Sequence, residues 1–378
     1  MVGFFAHHDL RPNRIELARQ RAAKRGYIDL TSSNPTQQGL LFPPLPLQEA
    51  AANYWSNRQY TPDPRGVLNA RIAIAHYYAQ RTPPLTLDTN DIFITASTSE
   101  AYSLLFALLT EPGDNILAPN VTYPLFEYLA AIHHIELRSY ALDEQQGWQI
   151  VPQSLTTHVD ERTRAILIVS PHNPTGAIVH TPLETLACLG LPVLCDEVFA
   201  AFTYGHGHTP PFGAIHPEIP VFHLNGISKM FALPDLKLGW IALNREAMQY
   251  NDRLELLNDT LLSANALTQH ILPTLFAEGM DFVDSMVQRV RKNLDMALHI
   301  LTQHEHIYVH RPDGGYYIFP KITNWHDEEA LVLHLLNQGV YVHPGYFYGY
   351  DEDVHIAISC LVTPEQLHEG LQRLIATL

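Results

Sequence analysis

The sequence predicts an α/β protein: a large domain built on a mostly parallel sheet between helices, with a smaller α+β domain beside it. Two observations carry this. From about Ala50 to Gly279, short apolar runs alternate with longer helical patterns, as expected of strands buried on both faces and joined by crossover helices. From about Met280 the pattern changes to a long helix, short strands and a final amphipathic helix.

The expected strands of the large domain are residues 92–95, 115–118, 165–170, 192–195, 221–224 and 238–243. Each is short, apolar and bounded by turn formers or helix starts. The N-terminal segment opens as a polar helix and becomes loop-like around SSNPTQQGLLFPPLP. The tail holds a helix with Arg289, Arg291 and Lys292, a glycine turn at Gly314-Gly315, and strands near 316–319 and 355–359. We expect residues 46–279 to form the large domain, and residues 1–45 with 280–378 the small one.

At 46% hydrophobic and 16% charged, the 378-residue chain can bury a sizeable core and is not disordered. Its net charge of −16 disfavours nucleic acid and anionic membranes as partners, so any anionic ligand needs a local site. Cys188, Cys195 and Cys360 are odd in number and widely spaced. They read as buried free thiols in a reducing compartment. With no signal-peptide pattern and no run of ~20 apolar residues, a cytoplasmic location is expected. The histidine pairs His7-His8, His133-His134, His206/His208 and His304/His306 lack a third ligand, so no metal is expected.

Ligands of open α/β sheets sit at the carboxyl ends of strands. Four strand ends carry polar residues. After 92–95 come Ser97, Thr98, Ser99 and Glu100; Ser97 and Glu100 suggest a capping box, and a helix start with hydroxyls suits a phosphate. As a lone feature it would be an ordinary capped helix. After 165–170 comes Asn173 in PHNPTG, either a plain turn or an amide placed to meet a phenolate oxygen. After 192–195 comes Asp196-Glu197. Asp196 is either a helix N-cap or a carboxylate paired with a protonated ring nitrogen, since a buried acid is costly unless paired. After 221–224 comes Ser228-Lys229. Most lysines are solvated; one at an apolar strand end is poised for a lowered pKa and imine formation.

Singly these signals are weak. In this order, with spacings of 173 − 97 = 76, 196 − 173 = 23 and 229 − 196 = 33 residues, they are specific. With YTPDPRG (60–66), TASTSEA (95–101), EPGD (111–114), Tyr123-Pro124, NPTG (173–176), DEVF (196–199), LPDLKLGW (233–240) and HPG (343–345), the chain resembles the class I and II aminotransferases. These are pyridoxal 5′-phosphate enzymes of fold type I.

The resemblance implies a mixed, mostly parallel sheet and a reaction that moves an amino group between an amino acid and a 2-oxo acid. It implies that Lys229 forms the internal aldimine and shuttles the proton, and that Asp196 pairs with the pyridinium nitrogen. Asn173 is implied to donate to the ring 3-oxygen and Tyr123 to stack on the ring. Ser97, Thr98 and Ser99 are implied to hold the phosphate, with Ser228 and Lys237 also contacting the cofactor. Tyr60 is implied to reach the phosphate of a neighbouring subunit, making the active unit a homodimer.

Several positions depart from the family pattern. Phe199 replaces a frequent tyrosine, Lys237 an arginine and Gly226 a serine. The arginine that forks the substrate carboxylate is absent from the last strand, where His355 is expected in its place; Asn34 is a second candidate for the carboxylate. That absence favours, as alternatives, a β-lyase or decarboxylase on the same fold; a non-catalytic binding protein is the third option.

Overall fold

The computed structural model describes residues 9–205, 207–262 and 264–378. His7, His8 and His206 of the histidine pairs lie outside the described residues.

Seven strands form the main sheet: β1 (Ile92–Thr95), β2 (Asn115–Pro119), β3 (Glu136–Tyr140), β4 (Thr163–Val169), β5 (Val193–Asp196), β6 (Val221–Gly226) and β7 (Gly239–Leu243). Their order is β1-β7-β6-β5-β4-β2-β3. All neighbours run parallel except β7, which is antiparallel to both β1 and β6. The strand start of β7 therefore lies at the carboxyl ends of the others. Gly239 pairs with Thr95 on one side and Gly226 on the other.

Both faces of the sheet are covered, and side chains alternate between them as the pleat requires. Phe93, Ile116, Leu167, Leu194, Phe222 and Ile241 pack into one core with the helices Thr98–Leu109 and Leu125–Ile132. Their neighbours Leu117, Ile166, Val193 and Val221 face the opposite core with Trp148 and Phe212. Further along that face, Ile92, Ile94, Trp240 and Ala242 meet the helices Leu68–Ala79 and Ala266–Glu278. Six strands fall within about two residues of their expected positions. The edge strand β3, sequence ELRSY, has no apolar run to reveal it.

A separate core gathers Ile15, Ala22 and Leu30 with residues of Met280–Leu301, Glu328–Asn337 and Pro364–Ile375. Its three-stranded sheet sets β8 (Tyr317–Ile318), β10 (Ile356–Ser359) and β9 (His343–Pro344) side by side. Ile28–Asp29 of the N-terminal segment pairs in parallel with Val340–Tyr341, tying the two ends of the chain together. Cys195 and Cys360 are buried and free as expected, but Cys188 is exposed, because its helix Glu184–Leu189 lies on the surface.

Beyond β5, Glu197 is fully buried. Arg81 pairs with it, Tyr78 donates its hydroxyl at 3.2 Å and the Phe212 N–H donates at 3.2 Å. A buried carboxylate stripped of its cation is strongly destabilising. Arg81→Met should lower the unfolding free energy by about 3–5 kcal/mol, read from urea denaturation. The double variant Arg81→Met/Glu197→Leu should recover most of it, since no buried charge is then left alone.

Candidate active site

The carboxyl ends of β1, β4, β5 and β6 and the start of β7 open onto one cavity of about 290 Å³. Ser97, Thr98, Ser99, Tyr123, Asn173, Asp196, Ser228, Lys229 and Lys237 all line it, as do Phe199 and Tyr317; Ser33 and Tyr102, which the sequence did not single out, line it too.

At one end is the N-terminus of Thr98–Leu109. Ser97 caps it, its Oγ accepting from the Glu100 N–H at 3.1 Å. The expected capping box closes differently: the Glu100 carboxylate accepts from the Ala96 N–H at 2.6 Å instead of from Ser97. Thr98 and Ser99, the first residues of the helix, line the cavity. Gly239 and Gly226 let β7 lie close against this turn. A Cβ on Gly239 would come within 2.9 Å of the Thr98 nitrogen, and one on Gly226 within 2.7 Å of the Leu238 carbonyl. Lys237 stands exposed at the same end, with a left-handed φ of 48°. Helix dipole, hydroxyls and an ammonium together suit a phosphate dianion.

Lys229 follows β6 in the short helix Ile227–Met230. Its Nζ lies 5.9 Å from the Phe199 ring centre and 5.7 Å from that of Tyr316. Burial pushes its pKa down, only partly opposed by Tyr123 and Asp196. A lysine so placed is a better nucleophile at neutral pH.

Asp196 ends β5 and is 6% exposed. No helix follows it, so it is not an N-cap. Tyr102 donates its hydroxyl to Oδ2 at 2.7 Å, and the Val198 N–H donates to Oδ1 at 2.9 Å. Burial raises its pKa to about 6, against the opposing effect of these two hydrogen bonds. Asn173 lines the same cavity, and among the described residues its Oδ1 is buried without a hydrogen-bond partner. A helix start with hydroxyls and an ammonium suits a phosphate, a buried acid suits a protonated pyridine nitrogen, and the amide nitrogen of Asn173 is the end that can donate to a ring oxygen. The residues present therefore fit pyridoxal 5′-phosphate.

Three expected site residues lie elsewhere. Tyr60 is 75% exposed and lines a separate surface cavity with Tyr54, Asn258 and His270. Asn34 has its Oδ1 engaged by the Thr36 N–H and hydroxyl, while its neighbour Ser33 reaches the cavity. His355 does not meet the cavity, which corrects the expectation that it replaces the carboxylate arginine. It is fully buried, stacked on Phe319 at 4.8 Å, with Nε2 3.1 Å from the Glu144 carboxylate. It lies just before β10 on the face that packs against Trp148, so its imidazole serves the core between the two sheets. Among the described residues lining the cavity, the cations are Lys229 and Lys237, with no arginine.

The model of the family described as aminotransferase class I and II matches residues 25–374. Glutamate-pyruvate aminotransferase AlaA of Haemophilus influenzae is 29% identical, with 97% of this chain and 94% of that protein covered. Alanine aminotransferase of Mycobacterium tuberculosis is 25% identical over 94% of this chain and 86% of its own length. Among solved structures, alanine aminotransferase from Pyrococcus furiosus superposes with a TM-score of 0.87 at 25% identity, covering 97% of this chain and 99% of that one. Aspartate aminotransferase from Rhizobium meliloti shares the fold, with a TM-score of 0.88 at 19% identity and 99% of each chain covered. These relatives bear the names of aminotransferases and none that of a lyase, so the β-lyase and decarboxylase alternative is not favoured. The chain belongs to the aminotransferase class I and II family and is a pyridoxal-phosphate-dependent transaminase.

Proposed function

We propose that Lys229 is the lysine that carries the cofactor and moves the proton during amino transfer between an amino acid and a 2-oxo acid. The observation that carries this is the burial of its ammonium in a cavity shared with Asp196, Asn173 and a capped helix start. Bound pyridoxal phosphate supplies an aldehyde that accepts the amino group and a ring that accepts an electron pair. Asp196 keeps the ring nitrogen protonated, and Asn173 donates its amide to the ring 3-oxygen. Phe199 offers no hydroxyl there, which leaves that oxygen to Asn173. Ser97, Thr98, Ser99, Ser228 and Lys237 hold the phosphate, and Tyr123 covers one ring face. Lys229 Nζ would hold the cofactor and, buried beside Asp196, is the amine placed to accept and return a proton.

The working unit in this proposal is a homodimer in which Tyr60 completes the partner's phosphate site. Its exposure, away from its own cavity, supports this. We further propose two domains, 46–279 and 1–45 with 280–378, meeting at the cavity, because the small-domain core takes in Phe199 and Tyr316 beside Lys229. The free cysteines support a cytoplasmic location, and no described helix is long and apolar enough to cross a membrane. Recovery of the protein from an extracytoplasmic fraction of its cells would refute that location.

The names of the relatives make alanine with 2-oxoglutarate the first pair to assay. Lys229→Ala should lose covalent cofactor attachment, seen by mass after borohydride reduction, and amino transfer should fall by at least about a thousand-fold. Co-expressed with Tyr60→Ala, it should form mixed dimers with one intact site and activity above either parent. No recovery in purified mixed dimers would rule out the shared site.

Asp196 makes a pH-dependent prediction. Its folded pKa of about 6 lies above the ordinary 3.8. Ionisation therefore costs the cofactor-free fold nothing below about pH 4, more as pH rises towards 6, and a constant amount above. Asp196→Asn should remove this, so that the variant gains on the wild type by roughly 3 kcal/mol between pH 4 and 7. Paired urea melts of the two cofactor-free proteins across that range measure it; parallel curves would contradict it.

A further inference from the structure

We propose that Tyr102 is a positioning residue for the cofactor: its hydroxyl keeps Asp196 a weakly basic anion, so the proton shared with the ring nitrogen stays on the ring. This rests on the assignment of Asp196 to that nitrogen.

The geometry is specific. The Tyr102 hydroxyl donates to Oδ2 of Asp196 at 2.7 Å, and the Val198 N–H donates to Oδ1 at 2.9 Å. Among the described residues these are the hydrogen bonds Asp196 receives, and no cation forms an ion pair with it. A carboxylate has about four acceptor sites, so each oxygen keeps a lone pair for a donor in the cavity. Burial drives Asp196 towards its neutral form, and donors to the anion oppose that. The Val198 N–H is fixed by the backbone, which leaves Tyr102 as the side chain able to set the basicity of Asp196. Burial and the Asp196 charge hold the phenol in its protonated form, so it remains a donor throughout the working range.

The same tyrosine also couples the two ends of the site. It stands in the first turns of Thr98–Leu109, the helix whose N-terminus faces the phosphate cradle. Its ring is held by Phe126 at 4.7 Å and Phe106 at 6.1 Å. One rigid helix thereby fixes both the phosphate and the plane of the carboxylate. If Tyr102 were only a core aromatic, phenylalanine would serve equally well.

Without the hydroxyl, Asp196 becomes the stronger base and draws the proton off the ring nitrogen. No atom is gained or lost; the proton moves from nitrogen to Oδ and the ion pair becomes a neutral pair. The ring is then a poorer electron acceptor, which slows proton removal from the substrate more than it weakens binding.

The test loads wild type, Tyr102→Phe and Asp196→Ala with pyridoxal phosphate labelled with ¹⁵N at the ring and records its ¹⁵N shift against pH. In Tyr102→Phe the shift should move towards the unprotonated value at a pH where wild type is protonated. Its kcat should fall roughly ten-fold with KM little changed, the loss expected for a hydrogen bond to a charged group. Circular dichroism checks that the variant is folded. A difluorotyrosine introduced at position 102, a stronger donor, should move the shift the opposite way; this arm carries the test if Tyr102→Phe does not fold. If Asp196→Ala changes the shift and neither substitution at 102 does, the role of Tyr102 is overturned while that of Asp196 stands. If Asp196→Ala leaves the shift unchanged, both fall.

Discussion

Two successive carboxylates, Asp196 and Glu197, are buried at the end of one apolar strand, and much of the large domain is arranged around their cost. Charge in a protein interior persists only when it is compensated. The chain solves the two cases differently. Glu197 receives a full cation from Arg81, with Tyr78 and a backbone N–H. It is thereby closed to further chemistry and anchors the region after Leu68–Ala79 to the sheet. Among the described residues, the Asp196 carboxylate receives a hydroxyl and an N–H and forms no ion pair with a cation. It is left under-compensated towards the cavity, as the pairing proposed for it requires.

That contrast explains how the site assembles. Parallel strands bring their carboxyl ends to one edge, and each end contributes a side chain of different chemistry: hydroxyls, an amide, an acid and an amine. The reversed strand β7 adds the glycine that brings its backbone within reach of the helix start. The burial of Lys229 lowers its basicity by the same means that raises that of Asp196. Desolvation disfavours both charges, so burial holds each nearer to neutrality than it would be in water.

Much of this was legible in the sequence where local chemistry and period agree. The apolar runs gave six of the seven sheet strands, because burial on both faces leaves nothing but apolar residues. The strand-end residues Ser97, Asn173, Asp196 and Lys229 were legible because the sheet rule says where ligands bind. What failed was anything set by tertiary partners. The edge strand Glu136–Tyr140 is exposed or half-buried over four of its five residues and makes polar contacts such as Arg138 with Asp160. Tyr102 carries no local signal of its role, because only the fold brings its hydroxyl to Asp196, 94 residues away. His355 was misassigned because register in a short strand cannot be read without its cross-strand partners. Its imidazole meets Glu144 of a distant hairpin instead.

The antiparallel course of β7 makes the stretch from Ser228 to Gly239 a ruler. It leaves the sheet at β6, turns through Ala232 and Lys237, both with left-handed backbone, and returns to the same edge. Lys229 and Lys237, the proposed anchor and phosphate cation, thus hang on one strap, and its length sets their separation. Residues inserted into it would alter both at once, whereas loops at the far edge of the sheet are free to vary. Lineages diverging from this chain should therefore keep the strap at constant length even where its side chains change.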